Sequence, residues 1–563
     1  MKSVSKYKIG VISLSFWAIQ GFAQPAIPIP DTLAGNEIDL TLQHGAYEFY
    51  PDIVTQTIGY NGNYLGPTIF LTKGQPVTMN VHNQLGDTTT THWHGLHVAP
   101  ANDGSPHNLI LAGESWSPSF TVMDKAATYW YHPHPHGKTL AQVVKGAAGL
   151  IIVRDAEEAA LNLPRTYGVD DIPLVFQWKT FDAAKQIVEM DEADNEVLVN
   201  GTINGLLELP AQVVRLRILN GSSHRFFNFG FSDNRSFKQI ASDAGLLDAP
   251  VTLTRLILGS GERAEILVEL SGLQGKTLQF RQFGTQLPAG YPGGPMMMGG
   301  MMGPKDNTDF DLMTIRIAAP TANAVTAIPA TLTTNTAWPQ SGAFNRSFHF
   351  SAQPMMSMTN FFINGLKFDM ETVNFTAEVG KTETWTITNQ TMMAHPFHVH
   401  GMHFYVLTVN GATPPANLRG RKDVVAVPPM NGSVKLILRY EDFSDPDMPY
   451  MYHCHILSHE DTGMMGQFIV NAAASGVREN SAQGHLRVSP TLLAPGVEKV
   501  EIRADNGWEP IRVEVYDSMG RLLWAEQNTT HIAADRLATG MNVIKIFTAR
   551  GTAVFKMVKT KIV

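Results

Sequence analysis

Three passages of this chain repeat one pattern, and the repeat limits the fold more than any other feature. Gly66-Pro67-Thr68-Ile69 leads through Val77-Thr78-Met79-Asn80-Val81-His82-Asn83 to His92-Trp93-His94-Gly95. Val199-Asn200-Gly201 leads through Val214-Arg215-Leu216-Arg217-Ile218-Leu219-Asn220 to His224-Arg225-Phe226-Phe227. Ile363-Asn364-Gly365 leads through Glu383-Thr384-Trp385-Thr386-Ile387-Thr388-Asn389 to His395-Pro396-Phe397-His398-Val399-His400. The Asn markers lie 137 (220 − 83) and 169 (389 − 220) residues apart, enough for one β-sandwich each. Short alternating apolar segments broken by Gly, Pro, Asn and Asp predict strands throughout. Domains are expected at 36–155, 170–318 and 345–472, with linkers around 156–169 and 319–344. A small separate β domain without a metal-ligand cluster is expected at 485–563.

The first and third copies carry histidines that the middle copy has lost. Four pairs are spaced two apart: His92/His94, His132/His134, His398/His400 and His453/His455. Residues i and i+2 of a strand share a face, so each pair can address one site. Eight imidazoles from four strands can hold about three metal ions at two or three nitrogens each. The only cysteine, Cys454, stands between His453 and His455 and therefore points the other way, toward a second site. His459 follows five residues on and Met464 ten, with His395 the best candidate for a further imidazole. Thiolate, imidazole and thioether together suit copper, and this set suits an electron-transfer copper. The backbone between Cys454 and its neighbours then becomes a covalent electron path. His44, His82, His97, His107, His136, His224, His349, His403, His485 and His531 fall outside the ligand pattern.

Composition narrows partner and compartment. A net charge of −8 argues against nucleic acid and leaves no polybasic patch for a membrane. Lys2, Lys6 and Lys8 precede an apolar run at 9–19, and Gly21-Phe22-Ala23 offers small residues for cleavage, so 1–23 reads as a signal peptide. That run is short for a span, and stable membrane insertion is not expected. One cysteine excludes an internal disulfide.

The motifs His92-Trp93-His94-Gly95, His132-Pro133-His134, His395-Pro396-Phe397-His398-Val399-His400 and His453-Cys454-His455 with His459 and Met464 resemble those of the multicopper oxidases. The likeness covers nearly all of 36–472 and leans toward three-domain bacterial laccases and cuprous oxidases. It implies an all-β chain of three cupredoxin-like Greek-key β-sandwich domains. It also implies four copper ions, one mononuclear and three in a trinuclear cluster. Carried over by motif, His395, Cys454, His459 and axial Met464 bind the mononuclear copper, and His92 and His398 the single cluster copper. His94, His132 and His455 then hold one member of the coupled pair, and His134, His400 and His453 the other. The middle domain is implied to be a spacer. Dioxygen is the implied oxidant, and a copper-sequestering protein with little turnover is the alternative. Reducing dioxygen to water consumes protons, and Asp103 and Glu460 match the family's acidic positions.

The electron donor is less sharply marked. Met296, Met297, Met298, Met301 and Met302 lie in a Gly-rich loop of the second domain, and Met392 and Met393 precede His395. Thioethers select Cu(I). The cuprous oxidases carry such segments in the third domain, however, and an aspartate where Thr391 stands here, so phenols or aromatic amines remain open beside Cu(I). Met464 at the axial position is expected to make a modest oxidant. The tail, with Asp517-Ser518-Met519-Gly520-Arg521 and Leu537-Ala538-Thr539-Gly540-Met541-Asn542, resembles the sorting domains of the type IX secretion system. That resemblance implies secretion machinery as a partner, an exported location (periplasmic, secreted or cell-surface) and loss of the tail. A monomer is expected.

Overall fold

The computed structural model describes residues 24–189, 193–295, 303–353, 360–472, 485–494, 496–518 and 520–560. The signal-peptide stretch, the Met-Gly loop 296–302 and Met355, Met356 and Met358 lie outside the described residues. The chain divides into two compact units, Met1–Asn471 and Ala472–Val563.

The first unit holds three two-sheet sandwiches. In the first, strands Thr32–Ala34, Thr68–Thr72, Gly149–Arg154, Ala127–His132 and His92–His94 make one sheet in that spatial order. Ile53–Tyr60, Glu37–Tyr50, Pro76–Asn83 and Ser115–Trp116 make the facing sheet, with Ser119–Thr121 also paired to Pro76–Asn83, and Leu40, Ile69, Val81 and Tyr131 pack between the sheets. The middle sandwich sets a seven-stranded sheet against a five-stranded one around Phe176, Trp178, Phe229 and Phe280. In the third, His395–Val399 lies between Val424–Val427 and Asp445–Cys454. Its core, around Trp385, Phe397 and Phe468, contains Cys454 and Met464.

Period-two burial follows the sequence closely in Pro76–Asn83, where Val77, Met79, Val81 and Asn83 point inward and Thr78, Asn80 and His82 outward. The repeated asparagines end their strands for a local reason. Asn83, Asn220 and Asn389 are each at most 1% exposed, and each Oδ1 accepts the backbone N–H two residues on, from Leu85, Ser222 and Thr391. Their amides donate to carbonyls across the loop, among them Ile110, Leu258 and Val427. This buried Asx turn closes the strand and fixes the path into the histidine-bearing segment. The connecting stretches are packed: Leu163 and Leu332 share a buried cluster with Ile240 and Leu247 of the middle sandwich.

The second unit is a small sandwich by itself. Leu486–Ser489, Lys499–Ala504 and His531–Ala533 make one sheet. Leu492–Leu493, Gly551–Lys559, Gly540–Thr548, Pro510–Asp517 and Leu522–Gln527 make the other. Val500, Val513, Ile544 and Met557 fill its core.

Candidate metal centre

Two strand pairs from the first and third sandwiches carry the histidines. His92 is the cross-strand partner of His132, and His398 that of His453. His134, His400 and His455 sit just beyond the ends of these strands, at 132, 399 and 454. Freed from the pleat, they turn away from their i−2 partners. The two members of those pairs therefore address neighbouring positions rather than one, a refinement of the strand-alternation expectation.

All eight rings are fully buried. His134 and His400 each place Nε2 within 3.2 Å of Nε2 of His453, at 3.2 and 3.1 Å. Nδ1 of His400 faces Asp103 Oδ2 at 2.7 Å, and Nδ1 of His453 faces the Cys454 carbonyl at 3.0 Å. His400 and His453 donate through Nδ1 and so present lone pairs at Nε2, and the Nε2 of His134 converges on the same point. A second cage joins His94, His132 and His455, with His132 Nε2 at 3.4 Å from His94 Nδ1. His132 donates from Nδ1 to Pro133 O, and both nitrogens of His455 lack a partner. His92 and His398 donate from Nδ1 to the carbonyls of Asp103 and Asp423, each at 2.8 Å, leaving both Nε2 atoms unpartnered; His94 completes their group. Burial, reinforced by neighbouring imidazoles, pushes His92, His94, His398, His400 and His455 down, His132 to about 3 and His134 to about 4. These seven are neutral at pH 7, the form that ligates metal.

Cys454 points into the third sandwich, where its Sγ lies 3.3 Å from His395 Nδ1 and 3.6 Å from His459 Nδ1. The Ile456 N–H approaches the sulfur at 3.5 Å, and the Cys454 N–H bonds the Met464 carbonyl. Met464 is buried in the same core. The hydroxyl of Thr391 contacts Asn389 Oδ1, Met393 O and His395 Nε2, the last at 2.7 Å. With its own proton given to an oxygen, Thr391 accepts from Nε2–H and holds the Nδ1 lone pair of His395 toward the sulfur. Replacing Thr391 by Val is expected to weaken mononuclear copper binding by about 10–100-fold, read by copper titration of the thiolate absorption. Unchanged affinity would remove Thr391 from the site.

Both acidic candidates are buried against ligands. Asp103 is fully buried, and burial pushes its carboxyl well up. Glu460 lies 3.3 Å from His134 Nδ1 and 3.1 Å from His453 Nδ1, yet neither oxygen has an aligned donor. Burial raises Glu460, and His134, His453 and His455 outweigh it and hold the group low. Glu460→Gln is expected to slow dioxygen reduction by about 10²–10⁴-fold, because a carboxylate that takes up protons and passes them on beside the reacting site is lost. Stopped-flow reoxidation of the reduced protein reads this, while reduction by donor should keep its rate; equal loss in both halves contradicts the role.

Sequence reasoning missed Asp423 and Arg263. Asp423 Oδ1 lies 3.2 Å from His94 Nε2, and its carbonyl accepts from His398. Arg263 grips both Asp423 oxygens at 2.6 Å and also donates to the carbonyls of Thr128, Gly261 and Asp243. Burial lifts Asp423 to about 6 even against this guanidinium. Arg263 belongs to the middle sandwich. That sandwich also receives the Leu457 N–H on the Ser223 carbonyl and leaves no room for a Cβ at Gly261 beside the His455 ring. The implied spacer thus helps to orient the histidines. The remaining described histidines are mostly hydrogen-bonded, as His97 is to Gly401 O and Asp442, and His403 to Gly95 O.

Convergent neutral nitrogens with oriented partners, beside a Cys-His-His group, fit soft-to-borderline metal ions. Fold and site together define a copper protein built from cupredoxin-type sandwiches. Two family models described as multicopper oxidase match residues 42–158 and 336–474. The chain is 35% identical over 441 residues to the multicopper oxidase mco of Staphylococcus haemolyticus, covering 77% of this chain and 88% of that one. A solved laccase-like multicopper oxidase, CueO from Ochrobactrum sp., superposes with a TM-score of 0.71 at 34% identity, covering 79% of this chain and all of that one. The cell division protein FtsP of Yersinia pestis is 32% identical over 460 residues, covering 80% and 93%. The chain belongs to the multicopper oxidase family. It is a copper oxidoreductase that couples oxidation of a reducing substrate to reduction of dioxygen.

Proposed function

We propose that the chain holds four copper ions and passes electrons from a small donor through the Cys454 site to the histidine cluster. Cys454, His395, His459 and Met464 would hold the mononuclear ion; His92 and His398 one cluster ion; His94, His132 and His455 a second; His134, His400 and His453 a third. When bound, copper supplies one-electron acceptance at the first site and four-electron reduction of dioxygen to water at the cluster. The observation that carries this reading is the placement of Cys454. Its sulfur lies among His395 and His459, while its backbone neighbours His453 and His455 belong to the two three-histidine cages. The chain's own groups orient the rings, through Asp103, Asp423 and Thr391, and the Glu460 carboxylate relays protons beside His134 and His453.

The donor is a phenol, an aromatic amine or Cu(I). Gly290 and Gly303, described residues on either side of the Met-Gly stretch in sequence, both lie close to segments that carry the mononuclear site. Gly290 O accepts from Ala394 N, and Gly303 sits against Arg225, the neighbour of His224, whose ring is 5.9 Å from that of His459. Residues 1–23 direct export, and 485–563 act as a type IX sorting unit that is later removed, giving a periplasmic, secreted or cell-surface monomer. The likeness to a cell division protein is no more than a hint of a second reading, a copper-binding protein with little turnover, and a retained Cys454 relay opposes it. Copper-loaded purification separates them. About four coppers per chain, intense blue colour and oxygen uptake with Cu(I) or a phenol are expected. Full copper without oxygen uptake refutes the oxidase.

A further inference from the structure

We infer that His97 and His403 are positioning residues, a reciprocal clasp that holds the copper-bearing segments of the first and third sandwiches in place around the histidine cluster. The inference rests on the copper assignment proposed above and goes beyond its ligands. The chain carries one pattern twice: His92-Trp93-His94-Gly95-Leu96-His97 in the first sandwich and His398-Val399-His400-Gly401-Met402-His403 in the third. In each, the first two histidines enter the cluster and the last reaches across to the other sandwich. His97 Nδ1 donates to the Gly401 carbonyl at 2.6 Å, and His403 Nε2 to the Gly95 carbonyl at 2.7 Å. Each acceptor directly follows a cluster histidine, His400 in one case and His94 in the other. Both glycines have positive φ, +64° at Gly401 and +89° at Gly95, so the chain turns sharply just after the ligand. These turns are closely packed. A Cβ at Gly401 would strike the Tyr450 ring, and one at Gly95 would strike Asp423 and Arg263.

The other ring nitrogens show that neither histidine is a ligand. His97 Nε2 faces Asp442 Oδ1 at 2.7 Å, so both of its nitrogens meet oxygens and both carry protons. Burial pushes His97 down, but Asp442, Asp124 and the Gly401 carbonyl outweigh it and hold the ring above its usual range. His403 gives its one proton to Gly95 O, and its Nδ1 lies 3.4 Å from Arg421 Nη2, a donor. Burial, with Arg421 beside it, pushes His403 well down, and the ring is neutral. Neither ring has a lone pair to spare for copper. What the clasp can do follows from where the ligand groups lie. His92 and His94 meet His398, His94 and His132 meet His455, and His134 meets His400 and His453. Each of these groups draws on both sandwiches, so a slip between the sandwiches opens all three. The group of His395, Cys454 and His459 lies within the third sandwich alone and is indifferent to such a slip.

Four variants of the full chain test the clasp. His97→Leu and His403→Leu remove the donors, while His97→Asn and His403→Gln put an N–H back near the Nδ1 and Nε2 positions. In copper titrations each Leu variant should bind cluster copper about 3–10-fold more weakly, the worth of one hydrogen bond. The blue absorption of the Cys454 site should titrate as in the parent. The amide variants should recover most of the cluster affinity, His97→Asn less fully because it cannot also reach Asp442. In copper-free protein, amide hydrogen exchange should quicken across the joint, at 401–403 in His97→Leu and at 95–97 in His403→Leu. Leu variants that bind cluster copper like the parent overturn the inference. So does equal weakening at both kinds of copper site, or faster exchange confined to the mutated segment. A parent that takes up no cluster copper refutes the copper assignment instead, and the exchange measurement still decides whether the clasp exists.

Discussion

Cys454→Ser is expected to abolish the blue colour and lower donor oxidation by about three orders of magnitude, the scale of losing a group that the reaction cannot bypass. Serine is close in size, and Cys454 is fully buried in the third core, so the fold should tolerate the change. The chemistry should not. A hydroxyl is a hard ligand where a soft thiolate is needed, and the imidazoles of His395 and His459 would be left without the anion between them. Copper should fall from about four to about three ions per chain, because His453 and His455 keep their backbone positions and their cages. The experiment is metal analysis with visible absorption and oxygen uptake on parent and variant. Retained colour would place the mononuclear site elsewhere. Loss of all the copper would mean that the cluster depends on Cys454, contrary to the separation of the two sites.

The relay was legible because its parts are neighbours. A lone cysteine between two histidines needs only strand alternation to be assigned opposite faces, and the Asn markers were legible because each Asx turn is built within two residues. The division of His132 from His134, or His398 from His400, was not legible from alternation alone. It depends on where each strand ends, and strand ends are set by partners: the pairing of His395–Val399 with Val424–Val427 and Asp445–Cys454 leaves His400 outside. The support for His94 was less visible still. Asp423 stands 329 residues (423 − 94) from the histidine it faces, and Arg263 reaches it from the middle sandwich. One sequence signal existed: Glu262-Arg263-Ala264-Glu265 sets three charged residues around the start of the strand Arg263–Glu269, just before the apolar run Ile266-Leu267-Val268, and all three are buried. Buried charge needs partners, and a run of it inside a sheet marks a junction between domains.

That junction carries the largest expected effect on stability. Arg263→Leu should destabilise the first unit by about 3–5 kcal/mol, because it leaves Asp423 buried beside Asp243 without its cation. The arginine is fully buried and makes two hydrogen bonds to Asp423 and three to backbone carbonyls, so the loss includes unsatisfied oxygens from both the first and the middle sandwich. Lys422 cannot replace it, since its ammonium is already held by Asp243 and Glu262. Arg263→Lys should lose less, keeping the charge but not the two-pronged grip. Freed from the grip, Asp423 no longer holds His94 Nε2, and copper occupancy of the cluster should fall while the blue colour of the Cys454 site persists in whatever protein remains folded. Calorimetry resolves the first unit from the C-terminal one, and metal analysis at a temperature below the transition reads the cluster. An Arg263→Leu protein that melts with the parent and keeps full copper would show that the middle sandwich does no more than space the other two.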